Sequence, residues 1–148
     1  MTILRKLYCF NVPLNDLIQI YIIYIRCYLE QSCVVWHSSL TEEDSTKLER
    51  VQKVALRIIL KENYLNYENA LVKTSLELLK VRRENLCLKF ARSCLKNPFT
   101  ASMFPLNKTE YHSDTTRNRE KFTVQRATTE RLRKSAIPHM QRLLNSDN

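Results

Sequence analysis

Glycine is missing altogether from these 148 residues, and proline occurs only four times. With no glycine, αL turns, bulges, P-loops and dinucleotide-binding loops are all excluded as written. Helices joined by Asn- and Ser-containing turns are what remain. No apolar run is long enough to span a membrane: Leu17 to Ile25 carries Gln19 and gives way to Arg26, well short of the ~18 residues required. Arg5 and Lys6 precede that run in the manner of a signal peptide, but no small-residue cleavage site follows. The five cysteines are an odd number without regular pairing and supply no disulfide framework. They read as core thiols of an intracellular, unsecreted protein, with nucleus and cytoplasm both open.

Catalytic chemistry is also missing. Asp16, Asp44, Asp114 and Asp147 are isolated, and no two carboxylates form the paired metal site that nucleotidyl transfer needs. His37 follows Cys33 by four residues and Cys27 by ten, which fits no standard zinc spacing and includes no CxxC. We expect no catalytic residue, no metal and no cofactor. His37 is expected to tie down a turn.

What the sequence does have is positive charge and helical periodicity. Lys and Arg number 24 against 15 Asp and Glu, a net charge of +9. Thr41 supplies an N-cap oxygen, Asp44 completes an imperfect capping box, and Glu42, Glu43 and Asp44 put negative charge on a first helical turn. From there Leu48, Val51, Ala55 and Ile58 form an inward stripe, with Glu43–Lys47 and Glu49–Lys53 as i,i+4 pairs on the wetted side. Upstream, Leu14, Leu17, Ile18, Tyr21 and Ile25 predict another buried stripe, on a helix whose other faces are apolar too. Trp36 is expected to fill the gap between these helices. Tyr67 to Lys73 predicts a short helix. Ser75 is placed to cap a long one reaching about Leu95, with Leu79, Leu86, Phe90 and Cys94 inward and Arg83 interrupting them.

The outer face of that long helix is the candidate site. Arg82, Asn85, Lys89, Arg92 and Lys96 recur at helical spacing, a basic stripe about four turns long without an acidic member. Beyond it, Asn97 to Thr116 predicts an extended linker or strap pinned by Met103, Phe104 and Leu106. Arg117 onward is a basic tail, eight Lys or Arg against three acids, with a β-like patch at Lys121 to Gln125 and a last helix opening near Pro138 and built on Met140, Leu143 and Leu144. Arg117 to Lys134 is expected to be partly disordered alone. Candidate phosphate contacts are therefore Arg82, Lys89, Arg92 and Lys96, together with Arg117, Arg119, Lys121, Arg126, Arg131, Arg133 and Lys134 in the tail.

Several segments in one order also carry a resemblance. VWHSSLT followed by LERVQKVALRII resembles the region that follows the polymerase domain in reverse transcriptases of non-LTR, LINE-type, jockey-like retrotransposons. The likeness continues through Val12-Pro13, Asp16-Leu17, NYENAL (Asn66 to Leu71), RRENLCLKFA (Arg82 to Ala91), MFPLN (Met103 to Asn107) and KSAIPHMQRLLN (Lys134 to Asn145). It implies that Met1 to Leu60 includes thumb-like helices, which in such polymerases lie beside the template–primer duplex. It also implies that the metal-binding aspartates, including the Y-x-D-D pair, would lie upstream of Met1, and that this chain is a truncated or decayed copy of an element.

The expectation is thus an all-α protein, a small bundle of three main helices plus short ones, divided into a helical module at 1–96, a linker at 97–116 and a basic tail at 117–148. Its expected role is sequence-independent binding of RNA or DNA without catalysis. The alternative is a helical interaction or structural module, whose apolar faces between Leu14 and Val35 meet a polymerase core or a second copy of the chain.

Overall fold

Thr41 acts as its sequence context predicts. In the computed structural model its hydroxyl oxygen accepts the Asp44 amide at 3.1 Å while the hydroxyl donates to the Asp44 carboxylate at 2.7 Å. The structure describes residues 1–106, 121–124 and 126–147, and among them the chain is all-α. Helix α1 (Thr2–Cys9) precedes a continuous rod of α2 (Leu14–Ile20), a π-helical stretch (Tyr21–Arg26) and α3 (Cys27–Glu30). Then come α4 (Cys33–Trp36), which runs into a 3₁₀ turn at His37–Ser39, α5 (Glu42–Leu60), α6 (Tyr67–Thr74) and α7 (Leu79–Leu95). The short α8 (Pro98–Ala101) and α9 (Glu130–Arg133) and the longer α10 (Ala136–Asp147) complete the order. In place of a β-like patch at Lys121 to Gln125 there is one antiparallel bridge, Leu106 to Phe122. Gln125 lies outside the described residues.

These elements form two compact units. The first comprises Met1–Ser32 and Leu40–Arg83, the second Cys33–Ser39 and Glu84–Asn148, so α7 begins in one and ends in the other. The expected division after residue 96 falls inside the second unit.

In the first unit, α5 buries Gln52, Ala55, Leu56, Ile59 and Leu60 against Leu4, Leu17, Ile18, Tyr21, Ala70, Leu71 and Leu76. The stripe differs from the expected one. Of Leu48, Val51, Ala55 and Ile58 only Ala55 is fully buried, because the helix is rotated to bring in Gln52. That amide is drawn inward by hydrogen bonds. Tyr21 Oη donates to its Oε1 at 2.6 Å, while its Nε2 donates to Tyr67 Oη at 3.0 Å and to the Glu77 carbonyl at 2.9 Å. Burial raises the Tyr21 phenol far above its ordinary value, so it stays a donor. On the rod, Leu17, Ile18 and Tyr21 are buried and Ile25 half-buried as expected, but Leu14 is exposed.

The second unit is built on Ala91, Phe104, Met140 and Leu144, with Val34, Leu88 and Phe122 against them. Phe104 is the anchor of its segment, whereas Met103 and Leu106 are each 43% exposed. The segment is not extended throughout: Asn97 accepts the Phe99 amide and caps α8. Helix α10 begins at Ala136, with Pro138 in its first turn. On α7 Leu79 is buried as expected, but it is joined by Arg83, Cys87 and Ala91, while Leu86 and Cys94 are half-buried and Phe90 is exposed. Arg83, expected to interrupt the stripe, is itself buried and donates to the Ser45 hydroxyl at 3.1 Å. Trp36 is half-buried and belongs to neither core, because Cys33 and His37 take the inward positions around it. The core-thiol reading holds for Cys33 and Cys87 but not for Cys9 and Cys27, which are exposed.

The exclusion of left-handed turns does not hold either. Asn11, Ser32, Lys61 and Ser75 have φ of 56°, 52°, 42° and 53°. Short polar side chains tolerate this region through local hydrogen bonding, so Asn and Ser can stand where glycine is usual. Ser75 does not start α7; it ends α6, and its backbone amide donates to carbonyls of that helix.

Replacing Gln52 by Ala strands the buried Tyr21 donor and the Glu77 carbonyl, and is expected to cost about 3 kcal/mol in urea unfolding. Gln52→Leu combined with Tyr21→Phe should recover much of that loss. A cost below about 1 kcal/mol for Gln52→Ala would show that the network is dispensable.

Candidate nucleic-acid interface

Helical spacing puts the basic residues of α7 on one face, but neighbouring elements decide which of them are free. Within the first unit, Arg82 Nε donates to Glu30 Oε1 at 2.5 Å, and Arg26 meets the same carboxylate at 3.5 Å. In the second unit Arg92 is paired with Asp147 at the end of α10. The sequence stripe has no acid of its own, yet Glu30 and Asp147 reach it from other helices. Lys89 and Lys96 are exposed and make no ion pair with a described residue.

The tail residues divide in the same way. Glu130 holds Arg133 at 2.8 Å and Lys134 at 3.4 Å, and the Arg133 hydrogen bond first, then Lys134, lowers its carboxyl below the usual range. Thr129 caps α9 by accepting the Leu132 amide, and the Arg133 carbonyl accepts a hydrogen bond from Arg142 at 2.7 Å. Lys121, Arg126 and Arg131 are exposed without an ion pair among the described residues. Arg117 and Arg119 lie outside the described residues. The cations of the second unit left without an ion pair among the described residues are thus Lys89, Lys96, Lys121, Arg126 and Arg131.

One basic row escaped the sequence reading. On α5 and at its end, Arg50, Lys53, Arg57 and Lys61 line open clefts of the first unit. The expected Glu49–Lys53 pair does not form, because Glu49 instead accepts from Tyr67 Oη and, at 3.1 Å, from the Leu79 amide. The available signal was the i,i+4,i+8 spacing of Lys53, Arg57 and Lys61 just before Tyr64 and Tyr67. The outward pair Glu43–Lys47 does form, at 2.8 Å.

His37 is buried, as a residue holding a turn should be, and sits within the second unit at 4.0 Å from Glu84 and with its ring 5.7 Å from that of His139. No group of three His, Cys, Asp or Glu side chains able to hold a metal occurs among the described residues. No helix among them is long and apolar enough to cross a membrane. No protein-family model, curated protein or solved structure matches the chain.

His139 is the group through which the second unit is expected to respond to acid. Burial, with the Arg142 charge adding to it, holds His139 below its ordinary 6.5, against a smaller upward pull from Glu84. The native state therefore binds fewer protons than the unfolded chain as pH falls through 6.5. Stability is full above that value and is lost as pH drops toward the depressed native pKa. Melting temperature should fall on going from pH 7.5 to about 5, and His139→Gln should flatten the fall. An unchanged profile in the variant would locate the acid sensitivity elsewhere.

Proposed function

We propose that the chain binds nucleic acid without regard to sequence and carries out no chemistry of its own, as the thumb and post-polymerase segment of a non-LTR retrotransposon reverse transcriptase would. The observation that carries this reading is the set of exposed cations in the second unit that pair with no carboxylate among the described residues, Lys89, Lys96, Lys121, Arg126 and Arg131, in a chain of net charge +9. Unpaired cations can release counterions from a phosphate backbone, whereas Arg82 and Arg92 must first break an ion pair to do so. Contacts of this kind fix a protein on a backbone without reading bases. The localisation that goes with the reading is intracellular.

A second reading has its own observation. On the rod of the first unit Ile23, Tyr24 and Tyr28 are 57%, 66% and 74% exposed, a grouping of large apolar side chains suited to a protein partner. That partner would be a polymerase core or another copy of the chain. A mass that rises with protein concentration would favour it.

The nucleic-acid reading is tested by titrating labelled RNA and DNA of several sequences at several salt concentrations. Affinity is expected to fall steeply with salt and alike for all sequences. Changing Lys89, Lys96 and Arg131 together to Gln should reduce the slope by about 2 to 3, while Arg92→Gln, already neutralised by Asp147, should change it little. A parent whose binding ignores salt would overturn the proposal. The same purified protein is expected to add no nucleotide to a primed template with Mg²⁺ or Mn²⁺, and incorporation above background would show chemistry this reading does not contain.

A further inference from the structure

Three cation–tyrosine pairs follow one another along α5 and the residue that closes it in the first unit. Lys53 Nζ lies 5.2 Å from the centre of the Tyr67 ring, the Arg57 guanidinium 5.4 Å from Tyr64, and Lys61 Nζ 3.9 Å from Tyr8. The rings come from α6, from the turn before it and from α1, and each is packed against the core, so the core side fixes the rings and the cations cover their outer side. None of the three cations is in an ion pair with a carboxylate among the described residues, unlike Arg82 and Arg92. Arg57 lines two open clefts, of about 560 Å³ and 380 Å³, which also receive Arg50 and Arg5 respectively. Glu49 is the one acid lining either cleft, and its Oε1 is committed to Tyr67 and the Leu79 amide.

Lys61 adds a separate sign of commitment. It closes α5 with φ 42° and ψ −111°, a conformation costly for a residue with a Cβ. The surroundings impose that backbone, and the result is an ammonium held over Tyr8.

We infer that this row is a binding site for one strand of nucleic acid, distinct from the cations of the second unit. The inference rests on the proposed nucleic-acid binding but not on the residues named for it. Four helical residues rise about 6 Å, so Lys53, Arg57 and Lys61 are spaced for phosphates separated by a sugar, not for phosphates that share a bridging oxygen. A single line of cations along one helix serves one backbone. Cation–π attraction at an exposed site is weak, so an arriving phosphate can draw each cation off its ring and leave the tyrosine face open to a sugar or base.

The test uses the whole chain, fluorescence anisotropy with a labelled single strand and its duplex, and the variant K53Q/R57Q/K61Q. Loss of the three charges is expected to weaken single-strand binding at least tenfold at low salt and to flatten its salt slope by about 2, with duplex affinity held within twofold. Because the substitutions could disturb the fold, acetylation of the unmodified protein is read by mass spectrometry: a bound strand should protect Lys53 and Lys61 but not Lys73. K53R/K61R, which keeps the charges, should bind like the parent. Equal losses for strand and duplex, acetylation of Lys53 and Lys61 unaffected by the strand, or displacement of the strand by tripolyphosphate at equal phosphate concentration would each overturn the assignment. If the second-unit variant K89Q/K96Q/R131Q binds as the parent while K53Q/R57Q/K61Q does not, the α5 site stands and the second-unit surface fails.

Discussion

The first unit depends on one buried amide. Gln52 spends its acceptor on Tyr21 and its two N–H groups on Tyr67 and the Glu77 carbonyl, which joins the rod, α5, α6 and the approach to α7. Tyr67 passes the connection to Glu49, and Glu49 accepts an amide from the first turn of α7, where helices have unsatisfied donors. In a low-dielectric interior each bond of such a chain is strengthened and each loose end is costly, and its one loose end here is Glu49 Oε2, buried without a hydrogen-bond partner. Burial and the Glu49 hydrogen bond both raise the Tyr67 phenol, which keeps it a donor across the ordinary pH range. The ring beneath Lys53 is thus set in place from the inside of the protein.

Much of the fold was legible because it is local. Thr41 with Asp44 announces a helix start from four residues, and the absence of glycine points to helices. The rotation of those helices was not legible, since it is fixed by side chains that break the apolar rule. Gln52 and Arg83 are both fully buried, and each turns its helix away from the face that hydrophobicity alone selects. Left-handed turns at Asn11, Ser32, Lys61 and Ser75 likewise escaped a rule that assigns them to glycine.

The basic stripe of α7 shows the same boundary at the level of the site. Helical spacing groups Arg82, Lys89 and Arg92, with Lys96 just past the helix end, but spacing carries no information about Glu30 and Asp147, which arrive from elsewhere. The row on α5 was missed for the converse reason. Lys53 reads as one half of a wetted-side pair with Glu49, and the tyrosines that distinguish the row are supplied by three separate segments.

The second unit takes in a seven-residue segment, Cys33–Ser39, that lies far from the rest of it in sequence. Val34 rests on a cluster that includes Met140 and Leu144, near the chain's other end. A ribosome therefore releases Val34 long before the side chains that will cover it exist. The first unit can bury its own apolar residues as α6 and the start of α7 emerge, whereas the second must wait for α10 and pay the loop-closure entropy of a separation on the order of 100 residues. Until then Cys33, Val34 and Trp36 are presented to the cell as an open apolar turn, the stretch of this protein most in need of a chaperone.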